Sequence, residues 1–438
     1  MQAVIQAGGR GTRLSSVTKN VIPKPMVEIA GKPLLAWQME ELRANGFTDI
    51  ILIVGYLGHV IQDDFGDGGR LGVRIRYIEE RADEPLGTAG ALAYLPPFLT
   101  GDTFAFVYAD AFFSVDFERM MAFHREKGSA ATLFVHPNSH SFDSDLVVLD
   151  EAGRVTAFDS KTNDRSSYDY ENIVNAGVFL FSRSICDNVP IPRKCALEKD
   201  VLQSMLDHGA PVYGYRSTEY VKDAGTPERL AAVERDLTIG IPQKRNLKHP
   251  QKAIFLDRDG TLNRYVGLLT QPDELVLEDT VLEAVRAINA SEYLAICCTN
   301  QPVVARGLCT IEDVNAIHRR LQTLLGRGGA YLDDIIYCPH HPDKGYPGEN
   351  PAYKIDCNCR KPKTGMIDTM AERHHIDLAP SWMIGDTTRD IQTAKNAGMR
   401  SVLVRTGEAG NDRAFAVKAE CEAETLMEGV QWILRRNE

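Results

Sequence analysis

The sequence predicts two tandem α/β domains, each a mostly parallel sheet covered by helices on both faces in three layers. Short apolar runs alternate with helix-like stretches from the first residue onward. Near residue 240 the basic, proline-containing stretch "GIPQKRNLKHPQK" interrupts this alternation, which restarts directly after it. The 438 residues accommodate two or three domains of roughly 150 residues each. The halves show no similarity to each other, which indicates fusion and not duplication.

In the first half, the spacing of apolar residues predicts each element in turn. "AVIQA" is typical of a buried strand and runs into a glycine-rich loop. "PLLAWQMEELRANG" has helical spacing and ends at a glycine, and "IILIVGY" and "TFAFVYAD" predict further buried strands. We therefore predict a first domain over residues 1–238 and a linker over residues 239–251.

The second half repeats the same order. "AIFLD" predicts a strand, "TVLEAVRAINAS" a helix and "LAICCTN" another strand. The series ends with the strand "SWMIGD", the helix "TRDIQTAKNAG" and the strand "SVLVRTG", and "AETLMEGVQWILRRN" predicts an amphipathic closing helix. These elements predict a second domain over residues 252–438.

Composition excludes several classes of protein. A formal net charge of −11 argues against a nucleic-acid partner, since phosphate binding would need a basic face. The chain has no run of 18 apolar residues and no signal-peptide pattern at its start, so we expect a cytoplasmic protein without a membrane partner. Nine cysteines in such a chain favour free thiols or a metal site over disulfides. The sequence is compatible with a homo-oligomer.

The loop "AGGRGTRL" is a candidate phosphate-binding loop. Gly8, Gly9 and Gly11 let backbone N–H groups approach phosphates, and the arginines, including Arg13, add positive charge. The loop is not a P-loop, which would end in Gly-Lys-Ser/Thr, and it lacks the third glycine of the dinucleotide fingerprint. Taken alone, a glycine turn with surface arginines explains it equally well.

Three further residues give this loop a chemical context. Lys24 stands between two prolines in "VIPKPM", which predicts a stiffened segment that presents a cation. Asp110 ends a predicted strand, where side chains of open α/β sheets face the ligand crevice. Asp223 has a similar setting before a glycine and a helix start.

The ordered pattern "AGGRGTRL…PKPM…YAD…EKD…KDAGTP" resembles the sugar-1-phosphate nucleotidyltransferases, above all the heptose and mannose 1-phosphate guanylyltransferases. The resemblance implies a Rossmann-like domain in which a sugar phosphate attacks the α-phosphorus of a nucleoside triphosphate. It implies that Asp110 and Asp223 hold Mg²⁺, that Arg13 neutralises the triphosphate and that Lys24 contacts the reacting phosphates. The implied substrate contacts are Gly8, Gly9, Gly11, Thr12, Gly87, Thr88, Lys161, Asn175, Glu198 and Lys199.

In the second half, "FLDRDGTL" places Asp257 and Asp259 two residues apart at the end of a strand. Asp257 can attack phosphorus, while Asp259 can protonate the leaving oxygen and later activate water. Such a pair alone can also cap a turn. Thr299 and Asn300 end the next predicted strand and are suited to hold phosphoryl oxygens.

Lys361 in "CRKPKTG" can neutralise a phosphate, and Asp386 and Asp390 supply acidic groups for Mg²⁺. In this order the motifs resemble the haloacid dehalogenase-type phosphatases, in the branch of histidinol phosphatase and heptose bisphosphate phosphatase. The resemblance implies a minimally capped fold. It also implies that Mg²⁺ is bound by Asp257, the backbone carbonyl of Asp259, and Asp386.

The loop "YCPHHPDKGYPGENPAYKIDCNCRKP" offers a Cys₃His set of metal ligands: Cys338, His340, Cys357 and Cys359. Closed sets of this type hold structural Zn²⁺. The phosphatase branch carries a zinc loop, and its pattern favours His340 over the alternative, His341.

Two neighbouring positions concern the substrate of the second domain. Arg360 lies between the loop and Lys361, which makes it a candidate substrate contact. Heptose phosphatases usually have a lysine after the magnesium aspartate, whereas this chain has Thr387, and Arg389 is a candidate to compensate.

The two resemblances together predict a reaction order. A phosphatase that removed the anomeric phosphate would destroy its neighbour's substrate, so it must remove another phosphate from a sugar bisphosphate. Heptose 1,7-bisphosphate fits, and the resulting heptose 1-phosphate would react with GTP to give GDP-D-glycero-α-D-manno-heptose for surface glycans. The alternatives are a histidinol phosphatase fused to another sugar transferase, and one domain retained as a non-catalytic regulatory module.

Overall fold

The computed structural model describes residues 1–9, 14–19 and 21–436, which form two compact units. The first unit comprises Met1–His136, Asp145–Ser160 and Val174–Lys248, and the second comprises Pro137–Ser144, Lys161–Ile173 and the chain from His249 onward. Two short segments of the first half are therefore part of the second unit. The domain boundaries at residues 238 and 252 stay a prediction, because compactness alone does not mark where one fold family gives way to another.

The first unit is built on a mixed sheet. The strands of the unit are β1 Gln2–Gln6, β2 Glu28–Ile29, β3 Lys32–Pro33, β4 Asp49–Val54, β5 Arg74–Glu79, β6 Thr103–Tyr108, β7 Ala111–Ser114, β8 Ala131–His136, β9 Leu146–Leu149, β10 Val155–Asp159, β11 Val174–Ser182, β12 Val212–Arg216 and β13 Tyr220–Asp223. Strands β2 and β3 form one separate two-stranded sheet, and β7 and β13 form another. The main order is β10-β9-β11-β6-β1-β4-β5, in which β6, β1, β4 and β5 are parallel. β11 runs antiparallel to β6 and to β8, which also pairs with β12.

Helices cover this sheet, namely α1 Ser15–Thr18, α2 Leu34–Ala44, α3 Gly58–Phe65, α4 Phe117–Glu126, α5 Gln203–Asp207, α6 Pro227–Thr238 and α7 Ile241–Lys244. Alternate residues of β1 point to one face, where Ala3 and Ile5 pack with Leu35 and Met39 of α2 in a buried core. The segment predicted as a linker contains α7, and Leu247 after it is buried with its amide on the Glu219 carboxylate.

The second unit has an all-parallel sheet in the order β16-β15-β14-β17-β18-β19. Its strands are β14 Lys252–Leu256, β15 Tyr293–Asn300, β16 Asp334–Cys338, β17 Trp382–Gly385, β18 Arg400–Val404 and β19 Cys421–Ala423. Its helices are α8 Val281–Asn289, α9 Ile311–Arg327, α10 Gly365–His374, α11 Thr388–Asn396 and α12 Leu426–Arg435.

Both faces of the second sheet are buried, as a parallel sheet requires. Ile254 and Leu256 of β14 face one core with α8, α9 and α12, while Ala253 and Phe255 face another with α10 and α11. Residues 257–280 join β14 to α8, a connection too short for a separate cap domain. The predicted pair of three-layer α/β/α folds, the second minimally capped, is confirmed.

The segments from the first half are an integral part of the second unit because they satisfy buried polar groups on α9. The amide of Tyr170 donates to Thr323 Oγ1 at 2.9 Å, and the amide of Asn172 donates to Gln322 Oε1 at 2.9 Å. A Cβ on Gly326 would lie 2.4 Å from Ser141 Oγ, so a larger residue there would have to displace this hydroxyl. Among the residues that the structure describes, every helix is too short or too polar to traverse a lipid bilayer.

Candidate active sites

The first candidate site lies where the parallel strands β1, β4, β5 and β6 end, the edge at which open α/β sheets bind ligands. Gly8 follows β1, and its backbone passes so close to Gly55 that a Cβ there would lie 3.0 Å from Gly8 O. Gly9 is exposed and has open space beside it. The predicted contacts of Gly11, Thr12 and Arg13 lie outside the described residues.

Lys24 binds two aspartates of this site. Its Nζ lies 2.6 Å from Asp110 Oδ2 and 3.8 Å from Asp223 Oδ1, while the lysine is only 9 % exposed. Strand pairing explains the convergence, since β13 runs antiparallel to β7 and places Asp223 opposite Ala111. Arg229 also donates a hydrogen bond to Asp223. Two carboxylates that already share one cation form a donor set that suits Mg²⁺.

Glu198 is the centre of a polar cluster formed by residues that include the predicted sugar contacts. Its Oε1 accepts from the Tyr108 hydroxyl at 2.8 Å and from Asn175 Nδ2 at 2.9 Å. Burial raises the pKa of this carboxyl. The sequence predicted Asn175 and Glu198 separately, and the structure brings them into direct contact.

Gly87 and Thr88 adjoin the same helical turn. The Thr88 hydroxyl accepts from the amide of Leu197 at 2.8 Å. Gly87 has φ +79°, and a Cβ on it would lie 2.4 Å from Cys195 O, so the segment needs glycine here.

Two predicted substrate contacts are not part of this cluster. Lys199 is exposed on the turn that carries Glu198. Lys161 belongs to a segment of the second unit. Their contacts with a sugar phosphate stay predictions.

The second candidate site is a cluster of three aspartates, Asp257, Asp386 and Asp390, whose ligand oxygens all lie within 4.8 Å of one another. Asp257 and Asp386 each directly follow a strand, and those strands, β14 and β17, are parallel neighbours. Lys361 Nζ lies 2.8 Å from Asp257 Oδ1 and 2.6 Å from Asp390 Oδ1. The sequence assigned these four residues to one phosphatase site, and the structure places them next to one another.

Crowding of buried carboxylates shifts their proton affinities. Burial raises the pKa of Asp257 to about 6 and the pKa of Asp386 to about 8, and the neighbouring carboxylates add to both shifts. Burial alone would lower the pKa of Lys361, but Asp257 and Asp390 outweigh it and hold the lysine charged. Asp386 Oδ1 is buried without a hydrogen-bond partner among the described residues. Such an orphaned oxygen fits a metal ligand.

Asp259 has different surroundings from Asp257. The fully buried Arg258 donates from Nη2 to both Asp259 oxygens at 2.9 Å, and Gln301 Nε2 and Asn263 Nδ2 also donate to them. Burial raises the pKa of Asp259, but Arg258 and these hydrogen bonds outweigh it, so the pKa is lowered. Asp259 is thus held as a carboxylate and must take up a proton before it can act as an acid.

Thr299 and Asn300 lie at the end of β15 beside the aspartates. The buried Thr299 hydroxyl accepts from Gln301 Nε2 at 3.0 Å. Asn300 Oδ1 accepts from the amide of Lys361 at 3.0 Å, and Asn300 Nδ2 donates to Lys361 O at 3.2 Å. Asn300 therefore fixes the backbone that presents the lysine.

A cavity of about 340 Å³ opens over these residues. Besides the aspartates and Lys361, its lining includes Arg306, Arg360, Arg389 and His341. Burial lowers the pKa of Arg360, and the charge of nearby Arg389 lowers it further. The cavity is therefore lined by aspartates and Glu408 as well as by Lys361 and three arginines, and the arginines can bind an anionic group of a ligand.

Arg306 and Arg258 were not predicted as site residues, because an arginine in a loop or beside an aspartate has no distinctive spacing. Thr387 takes the capping position of α11, with its hydroxyl 2.5 Å from Asp390 Oδ2. Arg389, in the first turn of α11, lines the cavity. The side-chain cation that Thr387 lacks is therefore available two residues later.

The Cys₃His set converges on one point. Cys359 Sγ lies 3.2 Å from both other sulfurs and 3.3 Å from His340 Nδ1, and Cys338 and Cys357 sulfurs are 3.5 Å apart. A tetrahedral ion with bonds of about 2.3 Å to sulfur would separate its ligands by roughly 3.8 Å. His341 instead lines the cavity and accepts from the amide of Asp343. The donor set agrees with the preference for His340, and the sulfurs need to move apart by about 0.5 Å to hold one tetrahedral metal ion.

Comparison with protein families agrees with this division. The family described as Nucleotidyl transferase matches residues 2–239, and the family described as HAD-hydrolase-like matches residues 358–428. Over 193 residues the chain is 38 % identical to a D-glycero-D-manno-heptose-1,7-bisphosphate 7-phosphatase of Thermosynechococcus vestitus, across 42 % of this chain and 96 % of that relative.

Two relatives match the first half and beyond. The chain is 34 % identical over 284 residues to a mannose-1-phosphate guanylyltransferase of Mycobacterium tuberculosis, across 64 % of this chain and 75 % of the relative. It is 31 % identical over 364 residues to a UTP–glucose-1-phosphate uridylyltransferase of Synechocystis sp., across 78 % of this chain and 89 % of the relative.

The raised pKa of Asp386 predicts a pH dependence of stability in metal-free protein. Because the folded-state pKa of about 8 exceeds the ordinary value of 3.8, this contribution to stability is complete below about pH 4 and is lost as the pH rises toward 8. After chelation, we expect the second unit to unfold at a lower temperature at pH 8.5 than at pH 5.5. The free energy of unfolding falls by at most about 1.4 kcal/mol for each pH unit, because one proton is released. Thermal unfolding of the full chain measures this.

The matched control is Asp386→Asn, which removes the titrating group. The unfolding temperature of the variant should change less between the two pH values than that of the wild-type protein. At pH 8.5, Mg²⁺ should raise the unfolding temperature of the wild-type protein much more than that of the variant. Equal pH dependence in both proteins would contradict this assignment of the shift.

Proposed function

Because this chain belongs to the nucleotidyl transferase family and carries a haloacid dehalogenase-type phosphatase in its second half, we propose that its two activities make one nucleotide sugar in sequence. The second unit removes the 7-phosphate of D-glycero-α-D-manno-heptose 1,7-bisphosphate. The first unit then transfers GMP from GTP to the heptose 1-phosphate, giving GDP-D-glycero-α-D-manno-heptose and pyrophosphate.

In the phosphatase, Asp257 is the nucleophile. One of its oxygens attacks the 7-phosphorus, and the bond from phosphorus to the sugar oxygen breaks as an aspartyl phosphate forms. Asp259, once protonated, gives its proton to the leaving oxygen and then accepts one from the water that hydrolyses the intermediate. Lys361, held charged by its aspartates, neutralises the phosphoryl oxygens.

In the transferase, an oxygen of heptose 1-phosphate attacks the α-phosphorus of GTP and pyrophosphate leaves. Lys24 lies beside both candidate metal ligands and stabilises the charge of the reacting phosphates. Glu198, held by Tyr108 and Asn175, accepts a hydrogen bond from a sugar hydroxyl.

Both families use Mg²⁺, and the residues fit it in each unit. Asp110 and Asp223 would hold it in the transferase, and Asp257, the backbone carbonyl of Asp259, and Asp386 would hold it in the phosphatase. When bound, the ion would supply positive charge that offsets the phosphate oxygens and the aspartates, because burial and then the neighbouring carboxylates raise the pKa of Asp257 and of Asp386.

One observation carries the proposal: each of the two units holds a lysine in contact with two aspartates, Lys24 with Asp110 and Asp223 in the first and Lys361 with Asp257 and Asp390 in the second. Two such activities are compatible only if the phosphatase spares the anomeric phosphate that the transferase needs. The arginines of the phosphatase cavity support a substrate with a second phosphate. The similarity to a heptose bisphosphate 7-phosphatase supports heptose as the sugar.

For the nucleobase of the triphosphate substrate, the comparisons support two candidates. Similarity to a guanylyltransferase supports GTP, whereas similarity to a uridylyltransferase makes UTP the second candidate. We place both reactions in the cytoplasm, where nucleoside triphosphates and sugar phosphates are made.

For the Cys₃His set we propose Zn²⁺, bound by Cys338, His340, Cys357 and Cys359, since a closed set of three thiolates and one imidazole matches its preferred ligands. Its role is structural. Arg360 directly follows the last ligand and donates to His340 O at 3.1 Å, so the ion would position the cationic wall of the cavity.

We therefore expect removal of zinc to reduce phosphatase activity without reducing nucleotidyl transfer. The variant Cys357→Ser, or wild-type protein stripped by a zinc chelator and resupplied with Mg²⁺, should lose bound zinc and most phosphatase activity, because Arg360 and Lys361 lose their support. Nucleotidyl transfer should stay at the wild-type rate. Metal analysis and the two activity assays measure this.

Cys421→Ser is the matched control, since Cys421 lies in the same unit outside the cluster and should keep both zinc and activity. Full phosphatase activity in zinc-free protein would refute the structural role.

Separate nucleophile and metal sites predict separable activities. Asp257→Asn should lower phosphate release by at least about 10³-fold, since it removes the nucleophile, while leaving nucleotidyl transfer from supplied heptose 1-phosphate intact. Asp110→Asn should lower nucleotidyl transfer and leave phosphate release intact. Phosphate release and pyrophosphate release, measured on the same preparations, test both.

Exposed acidic residues provide controls, for example Glu312→Gln and Glu118→Gln, which should preserve both activities. If either active-site variant abolished both reactions, independent sites would be refuted. If neither variant lowered its own reaction, the assigned chemistry would be wrong.

A further inference from the structure

One buried histidine on α9 contacts the active-site loop of the second unit, and it has no role in the chemistry described above. His318 is only 5 % exposed. Its Nε2 lies 3.3 Å from Nη1 of Arg258, the fully buried arginine that stands between Asp257 and Asp259 in the chain. The contact links α9 to the loop that carries both carboxylates of the proposed reaction.

The direction of this hydrogen bond follows from the chemistry of its two groups. A guanidinium can donate but cannot accept, so His318 Nε2 is the acceptor and the ring proton must lie on Nδ1. Burial, and after it the charge of Arg258, lowers the pKa of His318 to about 3. His318 is therefore a neutral imidazole that accepts from Arg258.

Arg258 is held by several acceptors at once. Its Nε donates to Asp259 Oδ1 at 3.2 Å, and its Nη2 donates to both Asp259 oxygens at 2.9 Å and to Gln301 Oε1 at 3.0 Å. The other terminal nitrogen, Nη1, donates to His318. Because Arg258 is fully buried, loss of this acceptor would leave an N–H group of a charged side chain unpaired, which favours a different orientation of the guanidinium.

The imidazole of His318 is itself held in one orientation. The ring of Tyr337 packs against it with the ring centroids 5.0 Å apart, and the Tyr337 hydroxyl donates to Asn315 Oδ1 on α9 at 3.0 Å. Ile317 and Leu321 of α9 are fully buried in the core of the unit. The helix therefore presents a rigid acceptor to Arg258.

The two aspartates depend on the side chain of Arg258 to different degrees. Asp257 attacks phosphorus, and its carboxylate is held by Lys361 Nζ at 2.8 Å. Asp259 transfers a proton, which requires one of its oxygens to lie within about 2.6–3.2 Å of the leaving oxygen. The guanidinium of Arg258 contacts Asp259, so its orientation bears on proton transfer more than on nucleophilic attack.

We propose that His318 is a positioning residue of the phosphatase: it fixes the guanidinium of Arg258, which in turn orients the Asp259 carboxyl group toward the leaving oxygen of the substrate. His318 itself does not touch the substrate. The inference rests on the proposed phosphatase chemistry, in which Asp259 is the acid, and it adds the residue that orients this acid.

The test compares two phosphate esters with His318→Leu in the full-length chain and saturating Mg²⁺. Heptose 1,7-bisphosphate releases a sugar alkoxide, which needs a proton as it departs, whereas p-nitrophenyl phosphate releases a stable phenolate, which does not. We expect kcat/KM for the sugar phosphate to fall about 10- to 100-fold, a part of what general acid catalysis contributes. For p-nitrophenyl phosphate, kcat/KM should stay within about 2-fold of the wild-type value, because attack by Asp257 is unaffected.

Two further variants of the same residue make the test independent of a single protein. His318→Gln places an amide oxygen near the position of Nε2, and this acceptor should restore most of the sugar phosphate hydrolysis. His318→Met, a flexible apolar replacement, should reproduce the selective loss of His318→Leu.

Leu321→Ala is the matched control, since Leu321 is a fully buried residue of the same helix that packs in the apolar core. This variant weakens α9 without removing an acceptor from Arg258, so any loss should be equal for the two esters. Nucleotidyl transfer should be unchanged in every variant, which reports that the chain is intact.

Equal losses with both esters in the apolar His318 variants would show a purely structural role and overturn the proposal, as would wild-type hydrolysis of heptose bisphosphate by either of them. Asp259→Asn separates this inference from the proposed chemistry. If Asp259→Asn lowers hydrolysis of the two esters equally or not at all, Asp259 is not the acid and the inference falls with it. If Asp259→Asn is selective for the sugar phosphate and His318→Leu is not, the chemistry stands and the inference alone is refuted.

Discussion

In each unit a buried lysine binds two aspartates that the fold forces together. Lys24 binds Asp110 and Asp223, and Lys361 binds Asp257 and Asp390. In the second unit the parallel neighbours β14 and β17 end at Asp257 and Asp386, and in the first the antiparallel pair β7 and β13 places Asp223 opposite Ala111, next to Asp110. Like charges brought this close must be offset by a cation, and Lys24 and Lys361 provide it.

The sequence predicted those parts of the fold and of the sites that depend on the order of apolar and charged residues along short segments. The strands and their terminal aspartates, such as Asp257 after β14, follow from apolar runs that end in charged residues. The partners that set their chemistry do not. Gln301 donates to Asp259, and Glu80 lies beside Gly8, through contacts that depend on packing between distant segments. Nor does any local pattern show that Lys161–Ile173 belongs to the second unit.

The chemistry of the substrates gives the two activities an order opposite to that of the chain. The phosphatase comes second in sequence and acts first, because the transferase needs a sugar with one phosphate left on its anomeric carbon. The cavity of the phosphatase unit is compatible with this order, since Arg306, Arg360 and Arg389 in its lining can bind a phosphate other than the one under attack.

Conversion of the bisphosphate in one reaction tests this account most directly. Wild-type protein would be given heptose 1,7-bisphosphate, Mg²⁺ and each of the four nucleoside triphosphates separately, and the nucleotide sugar would be identified by mass spectrometry. The account predicts GDP-heptose without a 7-phosphate, formed only after inorganic phosphate has been released. A nucleotide sugar that keeps its 7-phosphate, or release of the anomeric phosphate with no nucleotide sugar, would contradict it.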